Sequence, residues 1–358
     1  MKLLVVISAA QSILACFNRP EPHSQVEIFL KEENTKVKAI HLTAYGNPVE
    51  NLKLVDAPEP KAPASGEALI RVEYAPVNPS DLYLAKGIYL LRPTLPSVIG
   101  GEGAGIVEAV GSGVTQVKVG DRVTVPFKTF SWAEKVLAPA RELLVVPKLI
   151  DAKTASMLNI NPTTAVLLLN EFAKLKPKDW VVLNAANSKV AGCIIAIAKA
   201  RGINVAAIVR SPEAVSEVRQ LGADFVGIES PDLPKQIQAA TNGTPIHLGL
   251  DAVGGPATAT IASVLAPKAH LVVYAWLGEL PIQISQADMI VKGLQVHGFW
   301  MYYDQFLPKL QAATLEAMEV IGSGKLKLSA TAVYKPSQIR EAIEHTQKGG
   351  KALLDFNK

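Results

Sequence analysis

Cysteine is nearly missing from this chain, with Cys16 and Cys193 alone among 358 residues. Two cysteines so far apart form neither a disulfide framework nor a Cys-rich metal site, so a reducing compartment is the default expectation. Charge is sparse and close to balanced, with 19% charged residues and a net charge of +4. No cluster of Lys and Arg interleaved with aromatics occurs, which removes support for a nucleic-acid partner. There is no Gly-x-Ser-x-Gly elbow and no His-Glu-x-x-His pair, so hydrolase chemistry has no foothold. No internal repeat or low-complexity tract is visible. What the chain does have is apolar mass: 49% hydrophobic residues over 358 positions is ample for two domains.

Periodicity divides the chain. From Val37 to about residue 150, short β segments are broken by Gly and Pro, as in residues 38–42, 67–72 and 105–110, with a turn at 118–121 leading into another strand. Strands at this spacing predict a barrel-like all-β unit. From about residue 165, strands and helices alternate. Trp180–Asn184 reads as an apolar strand, residues 190–201 as an apolar helix ended by Gly202, and residues 204–209 as a second strand. Ser211-Pro212-Glu213 then reads as N-cap, first-turn proline and first-turn acid of the next helix. Further strands are expected at 225–228, 247–252, 270–275 and 294–299. Repeated βα units of this kind imply a parallel, doubly wound sheet. Residues 330–334 and 352–356 are again β-like and are expected to rejoin the first domain.

The turn after the Trp180 strand reads Asn184-Ala185-Ala186-Asn187-Ser188-Lys189-Val190-Ala191-Gly192. Its small residues would let backbone approach a pyrophosphate at a positive helix N-terminus. The Gly-x-Gly-x-x-Gly spacing is absent, so the loop alone does not separate a dinucleotide site from an ordinary βα turn. The next strand ends at Arg210, 23 residues after Asn187, followed by Ser211. An acid there would bind ribose hydroxyls and repel a 2′-phosphate, whereas an Arg suits that phosphate, so NADPH is the expected cofactor.

Taken together, these residues resemble the medium-chain dehydrogenase/reductase superfamily from residue 37 onward. Local motifs resemble the mitochondrial-type trans-2-enoyl-CoA/acyl-carrier-protein reductases within it: Asn78-Pro79-Ser80-Asp81 with Gly87-Ile88-Tyr89, Asn161-Pro162-Thr163-Thr164-Ala165, Asn184 to Ser188, and Gly298-Phe299-Trp300. Asn-Pro-Ser-Asp is shared with quinone oxidoreductases. The resemblance implies an α/β chain with a GroES-like β-barrel catalytic domain and a Rossmann doubly wound parallel sheet. The expected segments are a leader at 1–36, the catalytic domain at 37–164, the NADPH-binding domain at 165–303, and a return to the catalytic domain at 304–358.

The superfamily's zinc enzymes carry Cys where this chain has Asn78 and Gly-His-Glu where it has Gly100-Gly101-Glu102. A catalytic zinc needs three protein ligands, so no metal is expected and Glu102 reads as structural. Hydride addition to the β-carbon of an α,β-unsaturated thioester or ketone makes an enolate, which a hydroxyl can stabilise or protonate. The resemblance gives that role to Tyr89, with Tyr83 as the competing candidate. It places Asn161 and Thr164 by the nicotinamide and its ribose. Asn187, Ser188, Lys189 and Val190 would line the pyrophosphate, and Arg210, Ser211 and Pro212 the 2′-phosphate. Tyr274, Ala275, Trp276 and Leu277, with Phe299, Trp300, Met301 and Tyr302, would border the cofactor and acyl pocket. Lys351 would lie near the cofactor. For Phe299 and Trp300, core packing is the alternative. Lys189 and Ala191 depart from the family's glycines, and Val166 from its aromatic.

The implied substrate is a trans-2-enoyl-CoA or acyl-carrier-protein thioester. The alternatives are a reductase of quinones, enones or enals, and a non-catalytic member that binds nucleotide weakly. A homodimer is expected through the edges of the parallel sheets, with residues 270–276 as the candidate edge strand. Lys86, Arg92 and Lys128 are candidates to meet an acidic carrier protein. Residues 1–17 look signal-like, with a lipoprotein-type box at Ile13-Leu14-Ala15-Cys16, but are too short for a confident membrane span. Export would separate the enzyme from reduced dinucleotide, so we read this stretch as an unstructured or misassigned start, residues 18–35 as a linker, and the location as cytoplasmic.

Overall fold

The long strand Glu67–Val77 alternates buried and half-buried residues along its first half, as a sheet with one face on a core must. It is the centre of a six-stranded sheet. The computed structural model of the protein describes residues 35–278 and 280–357, so the leader expectation and Cys16 fall outside the described residues. Gly103–Val110 and Lys135–Pro139 pair antiparallel with Glu67–Val77, and Arg122–Val125 pairs with Gly103–Val110. A smaller sheet joins Leu52–Pro58, Lys36–Leu42 and Ser97–Val98, and the main-chain bridge between Ala39 and Ala133 ties it to the first. The barrel-like unit expected from the spacing is thus present. Trp132, fully buried, plugs it and donates from Nε1 to the Pro76 carbonyl at 3.1 Å. Gly100 accommodates that indole: a Cβ there would lie 2.3 Å from the Trp132 ring, at φ +107°.

The second sheet is parallel throughout. Its order is Phe225–Ile228, Asn204–Val209, Trp180–Leu183, Ile246–Asp251, His270–Val273, Gln295–Gly298. Asn204–Val209 is buried at every position but its first, because helices cover both faces. Chain order reverses between the Trp180 and Ile246 strands, and ligands bind such sheets beyond the strand C-termini at that point. The helix Lys189–Ala200 follows the Trp180 strand and stops before Gly202, which takes φ +73°.

Three expectations need correction. The edge strand is Gln295–Gly298, and His270–Val273 lies one place inside it. Ser211 does not cap the next helix: that helix, Glu213–Gln220, has Pro212 at its cap position without a side-chain bond, and the Ser211 hydroxyl pairs with Glu213 instead. The chain also returns to the first sheet later than residue 304. The helix Leu310–Gly322 still packs on Asn161–Glu171, with Ala313 and Ala317 in the core of the parallel-sheet layer. Ala352–Asp355 then pairs antiparallel with Glu67–Val77, and Ala332–Tyr334 pairs parallel with Ala352–Asp355 at the edge. No helix among the described residues is long and apolar enough to cross a membrane.

Candidate active site

Tyr89 is placed by the short helix Pro79–Lys86. Proline at the first helical position suits a chain entering in extended conformation at Asn78. Asp81 accepts the Asn78 N–H at 2.8 Å, and Gly87 in the left-handed conformation ends the helix. Two residues on, the Tyr89 hydroxyl accepts a hydrogen bond from Trp300 Nε1 at 2.8 Å. The Tyr89 proton is therefore free to be donated elsewhere. Burial raises its pKa above the ordinary phenol value, which the Trp300 bond partly opposes, so it stays protonated at neutral pH. Tyr83, the competing candidate, packs tilted on Trp276 at 5.1 Å.

Trp300 arrives from the stretch after the edge strand Gln295–Gly298. Phe299 and Met301 are buried in the parallel-sheet core, with Phe299 against Phe172 and Phe306. Trp300 and Tyr302 meet Tyr89 and Phe127, and Tyr302 also packs against that core. Phe299 thus packs in the core. Thr164 is also turned inward, its hydroxyl 3.5 Å from Met301 Sδ.

Beneath Tyr89 lies a buried polar floor. Asn78 donates from Nδ2 to Glu102 Oε1 at 3.0 Å, and Lys351 Nζ donates to Asn78 Oδ1 at 2.5 Å and to Glu102 Oε1 at 3.5 Å. Glu102 Oε2 accepts the Ile160 N–H at 2.9 Å, fixing the start of the helix Asn161–Glu171. Strand register brings Lys351 here, because Ala352 lies opposite Val77, the neighbour of Asn78. Asp81 accepts a second backbone bond from Gly101 at 2.8 Å. Complete burial pushes its carboxyl up to about 7, against the pull of those two bonds. Asp81 was not among the expected site residues, although Asn-x-x-Asp before a helix is a capping signature.

The expected nucleotide loop sits at the C-terminal end of the Trp180 strand, at the topological switch point. Asn184 Nδ2 donates to Asp251 Oδ1 at 2.6 Å, and Ala252 N donates back to Asn184 Oδ1 at 2.8 Å. Asp251 also accepts from the Val253 and Gly254 N–H groups and from Thr258 Oγ1, so this buried carboxylate braces the two strand ends. Ser188 caps the helix Lys189–Ala200 by accepting from Ala191 N at 3.3 Å. A cleft of about 280 Å³ brings Asn161, Asn187, Ser188, Lys189 and Lys351 together. Cys193 lines it too, but burial pushes its thiol up to about 12, so it is inert at neutral pH. Val190 packs on the core behind this loop. The Tyr274 hydroxyl is buried beside Ser188 without a hydrogen bond of ordinary geometry. A ligand lying along this loop would supply its missing partner. Arg210 and Pro212 are exposed and Ser211 half-buried at the tip of the Asn204 strand. Ala275 is half-buried, and Trp276 and Leu277 are exposed on the next turn, where Leu277 N bonds the Ala252 carbonyl. The small-residue loop, the helix N-terminus and the unpartnered phenol fit a dinucleotide.

This arrangement defines the class. Residues 64–148 match the alcohol dehydrogenase GroES-like domain and residues 190–314 the zinc-binding dehydrogenase model. The chain is 31% identical over 332 residues to the mitochondrial enoyl-[acyl-carrier-protein] reductase of Dictyostelium discoideum, covering 89% of this chain and 95% of that one. It belongs to the medium-chain dehydrogenase/reductase superfamily, with its GroES-like domain and Rossmann-like sheet, and within it to the enoyl reductase group.

Among solved structures, a putative NADPH:quinone reductase from Bacillus thuringiensis superposes with TM-score 0.82 at 26% identity, over 89% of this chain and 99% of that one. The Etr1p/NADP/crotonyl-CoA complex superposes with TM-score 0.81 over the same shares of the two chains, and at 24% identity that likeness is one of fold. The zinc in the family model's description does not fit these residues. No group of three or more His, Cys, Asp or Glu that could hold a metal ion occurs among the described residues. The Glu102 carboxylate faces the Lys351 ammonium instead.

Proposed function

We propose that the protein is an NADPH-dependent, zinc-independent reductase of trans-2-enoyl thioesters, with Tyr89 as its proton donor. The hydrogen bond from Trp300 to Tyr89 carries this reading, because it orients a half-buried, protonated phenol with its own proton unused. Asn161, Asn187, Ser188, Lys189, Tyr274, Arg210 and Lys351 would hold the dinucleotide, which when bound supplies hydride to the substrate β-carbon. Tyr89 donates to the thioester carbonyl oxygen as negative charge builds there, or delivers its proton to the α-carbon. The Trp300 N–H then stabilises charge left on the phenol oxygen. Lys351, held by Asn78 and Glu102, places a fixed positive charge near the cofactor cleft.

Purified protein mixed with NADPH and crotonyl-CoA should oxidise the cofactor and form butyryl-CoA. Absence of turnover with every enoyl thioester would overturn the reading. The likeness to a quinone reductase favours a second reading, in which the substrates are quinones or enones without a thioester. Reduction of small enones unimpaired by Tyr89→Phe would support it. We further propose a cytoplasmic homodimer joined through the Gln295–Gly298 edge. A carrier-protein surface draws less support: Arg92 bonds the Gly87 carbonyl and lies over the Tyr45 ring, and Lys86 lies over Tyr83. Of the three candidate cations, Lys128 fits that role best.

A further inference from the structure

We propose that a stacked pair of rings, Phe127 on Tyr302, closes the substrate pocket beyond Tyr89 and restricts the protein to unsaturated substrates with short tails. This rests on the reading of Tyr89 as the group that marks the reacting carbons. The two rings lie 3.7 Å apart and 7° from parallel. Carbon atoms in contact sit roughly 3.5–4.0 Å apart, so no methylene chain passes between them. Trp300 meets both rings edge-on, Tyr302 at 5.6 Å and Phe127 at 6.4 Å, while its Nε1 holds the Tyr89 hydroxyl at 2.8 Å. The wall therefore begins one indole away from the reacting end. Tyr302 is half-buried, its ring held by Phe127, Trp300 and the edge of the parallel-sheet core.

Both rings are fixed from behind. Tyr302 follows Met301, which is buried in the core and touches Thr164. Phe127 sits in a turn closed by the Thr129 N–H to Pro126 carbonyl bond, with Lys128 and Phe130 both at positive φ, and a side chain at such φ holds only where its surroundings dictate it. Phe127 also lies against Gly101, where a Cβ would meet its ring at 3.9 Å.

The test is kcat/KM with NADPH for four-, eight- and twelve-carbon trans-2-enoyl-CoA. One methylene that a pocket cannot house is worth about 10-fold or more. The wild type should therefore lose at least about 10-fold between four and eight carbons. Phe127→Ala, Tyr302→Ala and their double variant should raise the eight-to-four ratio by about 10-fold, whereas Tyr302→Phe, which keeps the ring, should hold the wild-type ratio. Equal wild-type turnover of four and twelve carbons would overturn the proposal. So would an unmoved ratio in a double variant that retains native circular dichroism and reduces the four-carbon substrate. If every thioester is refused but straight-chain enones are reduced, the thioester reading fails, and the same length ratio among enones decides the proposal.

Discussion

Lys351→Met tests the buried polar floor most directly. Lys351 is 4% exposed and Glu102 fully buried. Removing the ammonium leaves Glu102 charged, with only the Asn78 Nδ2 and Ile160 N–H donors. Breaking a buried pair from one side costs about 3–5 kcal/mol. The two remaining donors put this variant near the lower end, about 3 kcal/mol. Glu102→Gln removes the anion that compensates the ammonium, leaving it neutral acceptors alone, and should cost about 2–3 kcal/mol. The double variant buries no charge, so its cost should be about 1–2 kcal/mol, well short of the sum. Urea unfolding of the four proteins closes the cycle, and the coupling should come out at about 3–5 kcal/mol. A Lys351→Met cost below about 1 kcal/mol, or additive single variants, would refute the reasoning. Either result would mean that water reaches the pair.

Tyr89→Phe should lower kcat by about 10²- to 10⁴-fold with little change in NADPH affinity, measured by steady-state kinetics and fluorescence titration; an unchanged kcat would remove Tyr89 from the chemistry. Trp300→Phe deletes only the N–H that orients Tyr89 and should cost less, about 10-fold. Asp81 gives a pH signature. The unfolded chain releases this proton near the ordinary value of 3.8, but the folded chain holds it up to about 7. Between those values the native state binds more protons, so the contribution of this group to stability falls as pH rises and levels off above 7. The whole change is on the order of 4 kcal/mol, and urea midpoints for Asp81→Asn measured from pH 4.5 to 7.5 should lack it; parallel curves for the two proteins would reject the assignment. Thr258→Val removes one donor from buried Asp251 and should cost about 1–3 kcal/mol in the same assay.

Local signals were legible where one segment decides its own conformation. The parallel strands read as apolar runs because both faces are covered, and Gly202 marked a helix end because only its φ +73° lets the chain turn there. Ser211 misled because Pro212 adopts helical φ and ψ, and the serine hydroxyl turned to Glu213. The edge strand was misplaced because position in a sheet depends on which strands pair, and no stretch of residues near His270 carries that information. The site divides the same way. Tyr89 and the Asn184 loop stand in readable motifs, but the bond from Trp300 to Tyr89 spans 211 positions and that from Lys351 to Asn78 spans 273. Phe127 carried no motif at all, and only the facing Tyr302 gives it a role.

The long-range bonds also account for the register of the strand Ala352–Asp355. A fully buried Glu102 needs a cation, and no residue near it in sequence supplies one. The closing strand Ala352–Asp355 pairs antiparallel with Glu67–Val77 in a register that sets Ala352 opposite Val77. Lys351 is thereby delivered beside Asn78 and Glu102, at the point where the first sheet meets the helix bearing Asn161. A shift of that register by one residue would turn Lys351 to the other face of the sheet and leave the carboxylate uncompensated. The electrostatics of the site therefore favour this register of the last strand, which sets Lys351 at the cleft.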